Sequence, residues 1–432
     1  VRFYALAFRT ATASRAVVAE PPSARGTNHI APDPELAAAP SIDLREDVTR
    51  DTYHFVKTFV VTNDFSPRIG GINDYVDRMF RPFPSGSVTL FASRYPGHEA
   101  FDRTYPHEVI RLDTEMMLPV PSVRRRLHQE LRTRKPDLVL FGATWPLGHM
   151  GPAIDRKLGI PYGGFTHGLE LTGALMPGVL RHIGRRATLL TAVSAWSRSK
   201  LEPAFGWRGR MQLLPAGIDT ASFHLGVSDT AIRQRHALGD APVICCVSRL
   251  VARKGQDMLI KALPTVHREF PAVRLLIVGS GPHEAELRRL AAATPGGSQV
   301  VFTGAVPYAE LPAYFRAGEI FAMPCRSRLM GLDIEALGAV FLQGSAVGRP
   351  VVVGNSGGAP ETLKPGETGL LVDPESTEAI AAALLALLRD PVRARTMGEA
   401  GAQWVHSQWT WDVMSRRLQE MLGTLASTPA QA

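Results

Sequence analysis

The sequence predicts an α/β protein with two doubly wound domains that face each other across a cleft. Short apolar segments typical of buried strands alternate with longer segments typical of helices. This alternation occurs twice, on either side of a polar linker at residues 226–241. Strands that alternate with helices form a parallel sheet with both faces covered. The space between two such domains is a common place for a ligand.

Composition limits the class of protein. The chain has 432 residues, of which 45% are hydrophobic and 20% charged, as expected of about two or three globular domains. Its longest apolar runs, such as residues 379–388, are shorter than the roughly 20 residues that span a bilayer. Cys245, Cys246 and Cys325 match neither a disulfide framework nor a metal site, which favours a reduced, cytoplasmic setting.

The first series begins with a buried strand after Phe55, a turn at Gly70 and Gly71, and an amphipathic helix. Backbone N–H groups at a helix N-terminus attract phosphate, and glycine lets a ligand approach them closely. Many domains use such a turn for packing alone, so both roles stay open. Further strands are predicted at residues 88–93, 137–143, 162–168 and 189–194, and residues 211–219 are predicted to form a last strand and its exit turn.

The second series predicts strands at residues 242–250, 273–281, 299–304, 320–325, 349–355 and 368–373. Its first strand ends in SRLVARKGQD, which places Arg249 and Lys254 five residues apart where a helix begins. Two cations in this place suit a diphosphate leaving group, whose charge grows as its bond to a sugar breaks. Solvated side chains at an ordinary helix entrance are the alternative.

Two more segments carry candidate site residues. His167 follows a strand within THGLE, where ligand crevices of parallel sheets open, although a lone histidine is more often structural. Farther along, Glu335 and a glycine-rich turn flank a buried strand, a combination that suits a sugar nucleotide. Gln343 comes eight residues after Glu335, so on one helix both side chains point to roughly the same face. Glu361 could reach donor hydroxyls, but a carboxylate placed by a helix dipole is the simpler interpretation.

Positive charge is concentrated in two segments. The chain has 48 Lys and Arg against 40 Asp and Glu, and much of the excess lies at residues 123–135 and 171–200. Such segments attract phosphates of anionic lipid, of a charged acceptor or of nucleic acid, or they are ordinary solvated helix faces. No nucleic-acid motif accompanies them, so nucleic acid is the weakest of these partners. Residues 1–52 are expected to be disordered or to come from a misassigned translation start.

Seven motifs occur in order over residues 55–420: NDFSPRIGGI, THGLE, LLPAGID, VSRLVARKGQD, LIVGSGP, FTGAVPYAEL and GLDIEALGAVFLQ with SGGAPE. In this order they resemble glycosyltransferase family 4. The GLDIEALG variant, preceded by Arg326 and Arg328, and the THGLE element are similar to phosphatidyl-myo-inositol mannosyltransferases that use GDP-mannose.

The resemblance implies the GT-B fold, in which two Rossmann-like domains face each other across a donor cleft. The domains would occupy residues 53–225 and 242–395, with C-terminal helices at 396–425 that return to the first domain and a tail at 426–432. It also implies retention of anomeric configuration, with no cofactor and no metal. Catalytic roles would fall to His167, Arg249, Lys254 and Glu335. Donor contacts would come from Arg249, Lys254, Glu335, Gly70, Gly71, Gly338, Gln343 and Gly358.

The sequence departs from the family motif at Gln343, where the family usually has a second glutamate that binds the ribose of the nucleotide. Loss of this charge predicts weaker donor binding, by about 1 kcal/mol. The expected activity is transfer of mannose from GDP-mannose to a lipid-linked inositol acceptor, at an anionic membrane surface on the cytoplasmic side. Two alternatives stay open: transfer of N-acetylglucosamine from its UDP derivative to soluble inositol phosphate, and a non-catalytic sugar-nucleotide-binding protein.

Overall fold

The computed structural model describes residues 56–68, 70–168, 170–173, 178–331 and 333–427. The predicted N-terminal extension at 1–52 therefore lies outside the described residues, as does most of the predicted tail. Among the residues described, no helix combines the length and apolar character needed to cross a membrane. The three cysteines are buried and unpaired.

The first sheet has seven parallel strands within the described residues, in the spatial order β3-β2-β1-β4-β5-β6-β7. The strands are β1 (Thr58–Thr62), β2 (Val88–Ser93), β3 (Glu108–Leu112), β4 (Leu138–Phe141), β5 (Tyr162–Thr166), β6 (Leu189–Ala192) and β7 (Gln212–Leu213). The helices beside it are α1 (Gly71–Phe80), α2 (His98–Asp102), α3 (Pro121–Arg134), α4 (Gly151–Leu158), α5 (Glu170–Gly173), α6 (Val179–Gly184) and α7 (Ala195–Phe205).

A short helix, α8 (Thr230–Arg235), leads to the second sheet, whose six parallel strands in the described chain have the order β10-β9-β8-β11-β12-β13. These are β8 (Val243–Val247), β9 (Arg274–Val278), β10 (Val300–Gly304), β11 (Ile320–Met323), β12 (Val351–Gly354) and β13 (Gly369–Val372). The helices that follow are α9 (Gln256–His267), α10 (Glu284–Ala293), α11 (Leu311–Ala317), α12 (Ala339–Ala346), α13 (Thr377–Arg389), α14 (Pro391–Gln408) and α15 (Trp411–Ser427).

Both sheets reverse strand order once, between β1 and β4 and between β8 and β11. Ligands of doubly wound sheets bind outside the carboxyl ends of the strands at such switch points. The sequence explains the strands, because β1, β4 and β8 are continuous runs of apolar or small residues that are buried on both faces. The predicted parallel α/β architecture is confirmed.

The last helix contacts the first domain. The Trp411 ring lies 5.8 Å from the ring of Tyr75 on α1, in an edge-to-face arrangement. Just before α15, the Trp409 carbonyl accepts a hydrogen bond of 2.6 Å from the Ile218 N–H group. A Cβ atom at Gly217 would lie 2.7 Å from Trp411, so this close approach requires glycine. Trp409 and Trp411 therefore pack the C-terminal segment against the first domain.

Candidate functional site

Lys254 is placed by the turn that follows β8. Residues Ala252–Lys254 form a 3₁₀ turn, and Gly255 then adopts a φ of 76° before α9 begins. A Cβ atom at Gly255 would lie 2.0 Å from the Pro324 carbonyl oxygen, so the turn packs directly on the end of β11. The Lys254 Nζ atom donates a hydrogen bond of 2.5 Å to Oε2 of Glu335. The two residues lie on the loops after β8 and β11, on either side of the switch point.

The structure corrects the expected relation between Glu335 and Gln343. Glu335 precedes α12, and Gly338, with a φ of 89°, stands at the N-cap position of that helix. The two side chains therefore do not share a helix face, because the helix begins only at Ala339. Gln343 lies in the middle of α12 and is partly buried. A Cβ atom at Gly338 would lie 2.7 Å from the Phe341 ring, which gives this glycine a structural reason of its own.

Arg249 is exposed at the carboxyl end of β8, and no side chain of the described residues pairs with its guanidinium group. Its backbone is held by Gln256, whose Nε2 atom donates to the Arg249 carbonyl over 3.1 Å. Two more arginines on this side were not assigned a role from the sequence. Arg253 pairs with Asp333 at 3.3 Å, and Arg326 pairs with Asp257 at 3.0 Å.

The glycine turn after β12 packs against the Glu335 backbone. A Cβ atom at Gly357 would lie 2.1 Å from the Glu335 carbonyl oxygen, and the Gly358 N–H group donates to that oxygen over 2.9 Å. The Gly358 amide is therefore occupied within the protein. The turn fixes the loop that carries Glu335, and a direct contact of Gly358 with a donor stays a prediction.

Gly70 and Gly71 differ in the space that would be available to a side chain. Gly70 is exposed, and a Cβ atom there would meet Asn73 Oδ1 at 2.9 Å. At Gly71, the first residue of α1, a Cβ atom would meet no protein atom within 4 Å. Protein packing therefore does not explain glycine at Gly71, which leaves space for a ligand at the α1 N-terminus. No hydrogen bond joins Gly70 or Gly71 to the second domain in the described part of the chain.

His167 is held neutral beside the end of β5. Its Nε2 atom lies 2.8 Å from the Gly142 carbonyl oxygen, which can only accept, so Nε2 carries the proton and Nδ1 is left as an acceptor. Burial lowers the pKa of His167 to about 4, against a partly opposing effect of that hydrogen bond. The ring also meets the Tyr75 ring edge-to-face at 4.8 Å.

Glu170 was missed as a candidate, although it is the last residue of THGLE. It is fully buried, and its Oε2 atom accepts a hydrogen bond of 2.9 Å from the His167 backbone N–H group. Its Oε1 atom has no partner, and burial raises the pKa of Glu170 to about 7. The carboxyl group therefore shapes the loop that carries His167. Sequence spacing gave no sign of this contact, since it depends on how the loop folds back.

The two domains meet at the residues next to the candidate site. A Cβ atom at Gly168, which has a φ of 91°, would lie 2.9 Å from the Ala336 Cβ atom, so the His167 loop touches the Glu335 loop. The Ser194 Oγ atom donates to the Ala336 carbonyl over 2.7 Å. Glu361 accepts hydrogen bonds from the N–H groups of Ala195 and Trp196, at 2.7 and 2.8 Å. The predicted helix-dipole role of Glu361 thus involves α7 of the other domain.

Comparison with known proteins agrees with this geometry. Residues 69–222 match the family Glycosyltransferase Family 4, and residues 228–404 match the family Glycosyl transferases group 1. The chain is 42% identical to the GDP-mannose-dependent alpha-(1-6)-phosphatidylinositol monomannoside mannosyltransferase of Mycolicibacterium smegmatis, over 84% of this chain and 97% of that protein.

The chain belongs to glycosyltransferase family 4.

Of two further comparisons, the first supports the family and the second supports the fold. A GDP-mannose-dependent monoacylated alpha-(1-6)-phosphatidylinositol monomannoside mannosyltransferase of Corynebacterium glutamicum is 41% identical, over 85% of this chain and 97% of that protein. Anabaena Alr3699/HepE, solved in complex with UDP, superposes with a TM-score of 0.72 at 20% identity, covering 85% of this chain and all of that one. The GT-B fold is thereby confirmed.

In this family 4 glycosyltransferase, the described residues include no group of three or more His, Cys, Asp or Glu side chains that could hold a metal ion. The charged groups of the candidate site are instead the exposed Arg249 and the buried Lys254–Glu335 pair. Together with neutral His167, they offer cations for a phosphate group, a carboxylate for a sugar, and an uncharged acceptor nitrogen. The structure brings the His167 and Glu335 loops together. The Gly70–Gly71 turn belongs to the first domain and forms no hydrogen bond with the second domain in the described residues.

Proposed function

We propose that this glycosyltransferase transfers mannose from GDP-mannose to a phosphatidylinositol-type lipid acceptor, with retention of anomeric configuration and without a metal ion. One observation carries the proposal: a buried lysine–glutamate pair lies at the switch point of the second sheet, directly beside the loop of the first domain that holds neutral His167. The donor and acceptor classes follow from relatives about 40% identical over nearly their full length.

Arg249 and Lys254 supply the charge that a departing nucleoside diphosphate requires. Negative charge accumulates on the phosphate as the bond to the sugar breaks, and fixed cations stabilise that state more than the bound substrate. Lys254 is held in place by Glu335, so its ammonium group is oriented before the donor arrives. The guanidinium of Arg249 is available to bind phosphate oxygens in pairs. These two cations take the part that a divalent metal plays in other transferases.

Retention is proposed from the resemblance to family 4, and the candidate carboxylates among the described residues do not favour a covalent route to it. Retaining glycosidases use two carboxylates about 5 Å apart and form a covalent glycosyl intermediate. Here Glu335 is engaged by Lys254, and Glu361 is engaged by the α7 N-terminus. We therefore infer front-face attack, in which the acceptor hydroxyl forms its bond to the sugar on the side where the diphosphate leaves. The leaving phosphate oxygen takes the proton of that hydroxyl.

His167 would orient the sugar. Its Nδ1 atom is an acceptor, because Nε2 donates to the Gly142 carbonyl. A neutral imidazole in this position can accept a hydrogen bond from a sugar hydroxyl. A protonated ring would instead place a cation next to the sugar carbon that becomes electron-deficient in the transition state. The lowered pKa of His167, about 4, keeps the ring neutral at physiological pH.

The acceptor lipid requires a surface that binds anionic membrane. Arg125 and Arg132 on α3, Arg181 on α6 and Arg185 directly after α6 are exposed and have no carboxylate partner among the described residues. Leu127 and Leu131 of α3 and Leu180 and Ile183 of α6 belong to one apolar core cluster. The His149 ring lies 4.8 Å from the His182 ring of α6 in a tilted arrangement, and burial, followed by the charges of His182 and of Arg124 on α3, lowers the pKa of His149. Each exposed basic residue near anionic lipid adds about 1 kcal/mol of attraction. Arg126 and Arg134 are instead paired with Glu130.

The test supplies purified protein with radiolabelled GDP-mannose and liposomes that contain phosphatidylinositol or its monomannoside. We expect a mannosylated lipid with an α linkage, formed equally well in the presence of a metal chelator. A β-linked product would overturn retention, and loss of activity on chelation would overturn metal independence. Transfer only from a UDP sugar to soluble inositol phosphate would replace both proposed substrates.

Membrane attachment is tested separately by liposome sedimentation at low salt. The double variant Arg125→Glu and Arg132→Glu should bind phosphatidylserine-containing vesicles at least about tenfold more weakly than the unmodified chain. The matched control changes two exposed arginines of the second domain, Arg268→Glu and Arg289→Glu, and should bind as before. Equal loss in both double variants would show a response to net charge alone and would contradict a basic face formed by α3 and α6.

A further inference from the structure

A cavity of about 520 Å³ lies at the amino-terminal ends of strands in the second sheet. The candidate site lies at the opposite, carboxyl ends. The cavity is lined where β8, β11 and β12 begin, by Pro242, Ile320 and Pro350. Lys254 and Glu335 follow the carboxyl ends of β8 and β11, so the sheet separates them from this cavity. Its volume is within the range of about 300–1,000 Å³ typical of small-molecule sites.

Two arginines in the cavity wall lack an acidic partner. Arg316 donates to the Val347 carbonyl over 3.0 Å, and Arg349 donates to the Arg316 carbonyl, but neither forms a salt bridge with a described residue. The Nε atom of Arg349 is buried without any hydrogen-bond partner. A buried donor left unpaired costs about 1–3 kcal/mol, and a charged group costs more.

The carboxylate nearest in sequence to Arg316 forms no ion pair with either arginine of the cavity wall. Glu319 also lines the cavity, but it accepts a 2.5 Å hydrogen bond from the Val243 N–H group and pairs with Arg233 at 3.3 Å. Burial and the adjacent charge of Arg316 lower the pKa of Arg349 to about 10, and the charges of Glu319 and Asp229 offset only part of this effect. Arg395, near the start of α14, adds a third cation to the lining.

Glu399 on α14 is a second carboxylate of the lining, so the three lining arginines exceed the carboxylates by one, and the remaining lining is mostly apolar. Leu225, Leu387 and Leu388 contribute from the linker side and from the end of α13. Leu225 remains 49% exposed, although a Cβ atom at Gly348 would lie 2.5 Å from it. Apolar walls beside unpaired guanidinium groups suit a molecule that has both a hydrocarbon part and an anionic head. We propose that this cavity is a second binding site, for a small organic anion with an apolar chain whose head contacts Arg316 and Arg349.

The proposal is tested by calorimetric titration with octyl phosphate and octanoate, two probes that share the chain and differ in the head. Inorganic phosphate lacks the chain, and octanol lacks the charge. We expect saturable binding of at least one octyl anion, with both partial probes at least about tenfold weaker. The preferred head separates a phosphate ligand from a carboxylate. Saturating GDP should leave the affinity unchanged, since the reaction site is on the opposite edge of the sheet.

Variants locate the binding. Arg349→Gln and Arg316→Gln should each weaken octyl anion binding about tenfold or more, because each removes a charge-assisted hydrogen bond. Arg389→Gln, at an exposed arginine outside the lining, is the matched control and should bind as the unmodified chain does. Arg316→Gln alone decides the matter if the Arg349 variant does not fold. Absence of binding, competition by GDP, or unchanged affinity in Arg316→Gln would overturn the proposal, whatever the outcome for mannose transfer.

Discussion

The Nζ atom of Lys254 lies 2.5 Å from Oε2 of Glu335, and each side chain is only about a tenth exposed, at 10% and 11%. Before a donor binds, the carboxylate therefore balances the charge of a buried lysine. A diphosphate that enters the site brings a second anion to the same ammonium group. The pair thus holds the cation in position at the outset, so that little reorganisation is needed as charge develops on the leaving phosphate.

Glu335→Gln should lower kcat/KM by about a hundredfold or more, because a neutral amide replaces the carboxylate that positions Lys254 and that we propose to contact the sugar. The variant also leaves the lysine without its counter-charge, which should reduce the free energy of unfolding by about 1–3 kcal/mol. Steady-state kinetics and denaturant unfolding measure the two effects. Glu375→Gln, at an exposed glutamate, should change neither. Activity of Glu335→Gln within about twofold of the unmodified enzyme would remove Glu335 from the site.

Much of the fold could be predicted because buried parallel strands are continuous apolar runs. The predicted strand at residues 88–93 coincides with β2, and the others contain observed strands that are shorter at one or both ends. β3 was missed, since EVIRL carries Glu108 and Arg111 at the edge of the sheet and lacks a buried pattern. In the segment 211–219, predicted as a last strand and its exit turn, the strand is Gln212–Leu213 and the following residues turn toward α15.

Less of the candidate site than of the fold could be predicted from the sequence. Strand-end positions placed Arg249, Lys254 and His167 correctly at carboxyl edges of the two sheets. Spacing alone wrongly suggested that Glu335 and Gln343 share a helix face. The helix begins only after Gly338, which has a left-handed conformation, so Glu335 precedes the helix. The contacts of Glu170 and Glu361 come from loop folding and from docking of one domain on the other. Neither leaves a periodic signal in the chain.

Gln343→Glu should strengthen binding of GDP-mannose by about fivefold. The side chain is on α12, partly exposed, and a carboxylate there would accept a charge-assisted hydrogen bond from a ribose hydroxyl, a gain of about 1 kcal/mol over the amide. Calorimetry with GDP and with GDP-mannose measures the change. Since the contact is to the nucleotide, both ligands should gain equally. An unchanged dissociation constant for both would show that position 343 does not contact the donor.

Glu361→Gln should loosen the contact between the two domains. The carboxylate accepts hydrogen bonds from Ala195 and Trp196 at the α7 N-terminus, where the helix dipole favours negative charge. An amide keeps one acceptor and turns an N–H donor toward the second backbone donor. We expect a loss of about 1–2 kcal/mol in the free energy of unfolding and a larger radius of gyration in solution scattering. Glu367→Gln, at an exposed glutamate of the same domain, is the control. An unaltered scattering profile at unaltered stability would contradict the role of Glu361 in domain contact.

We compare the free energy of unfolding of Glu170→Gln with that of the unmodified chain. This difference should favour the variant more at alkaline pH than at acidic pH. Burial raises the pKa of Glu170 from its usual 4.5 to about 7, so the folded state holds this proton more tightly than the unfolded state does. Its contribution to stability is fully present below about pH 4.5 and is lost as pH rises through 7. The contribution of His167 to stability has the opposite pH dependence. Because its pKa is lowered, the folded state loses stability as pH falls from 6.5 toward 4.

Comparison of Glu170→Gln with the unmodified chain cancels the His167 contribution, which both proteins share. The difference in free energy of unfolding should shift in favour of the variant by about 1–3 kcal/mol between pH 4.5 and pH 8 and then stay constant. Denaturant unfolding at a series of pH values measures it, with Glu375→Gln as the exposed control. A difference that does not vary with pH would mean that Glu170 is ionised in the folded protein at neutral pH. Its unpartnered Oε1 atom would then need a hydrogen-bond donor, such as water, in solution.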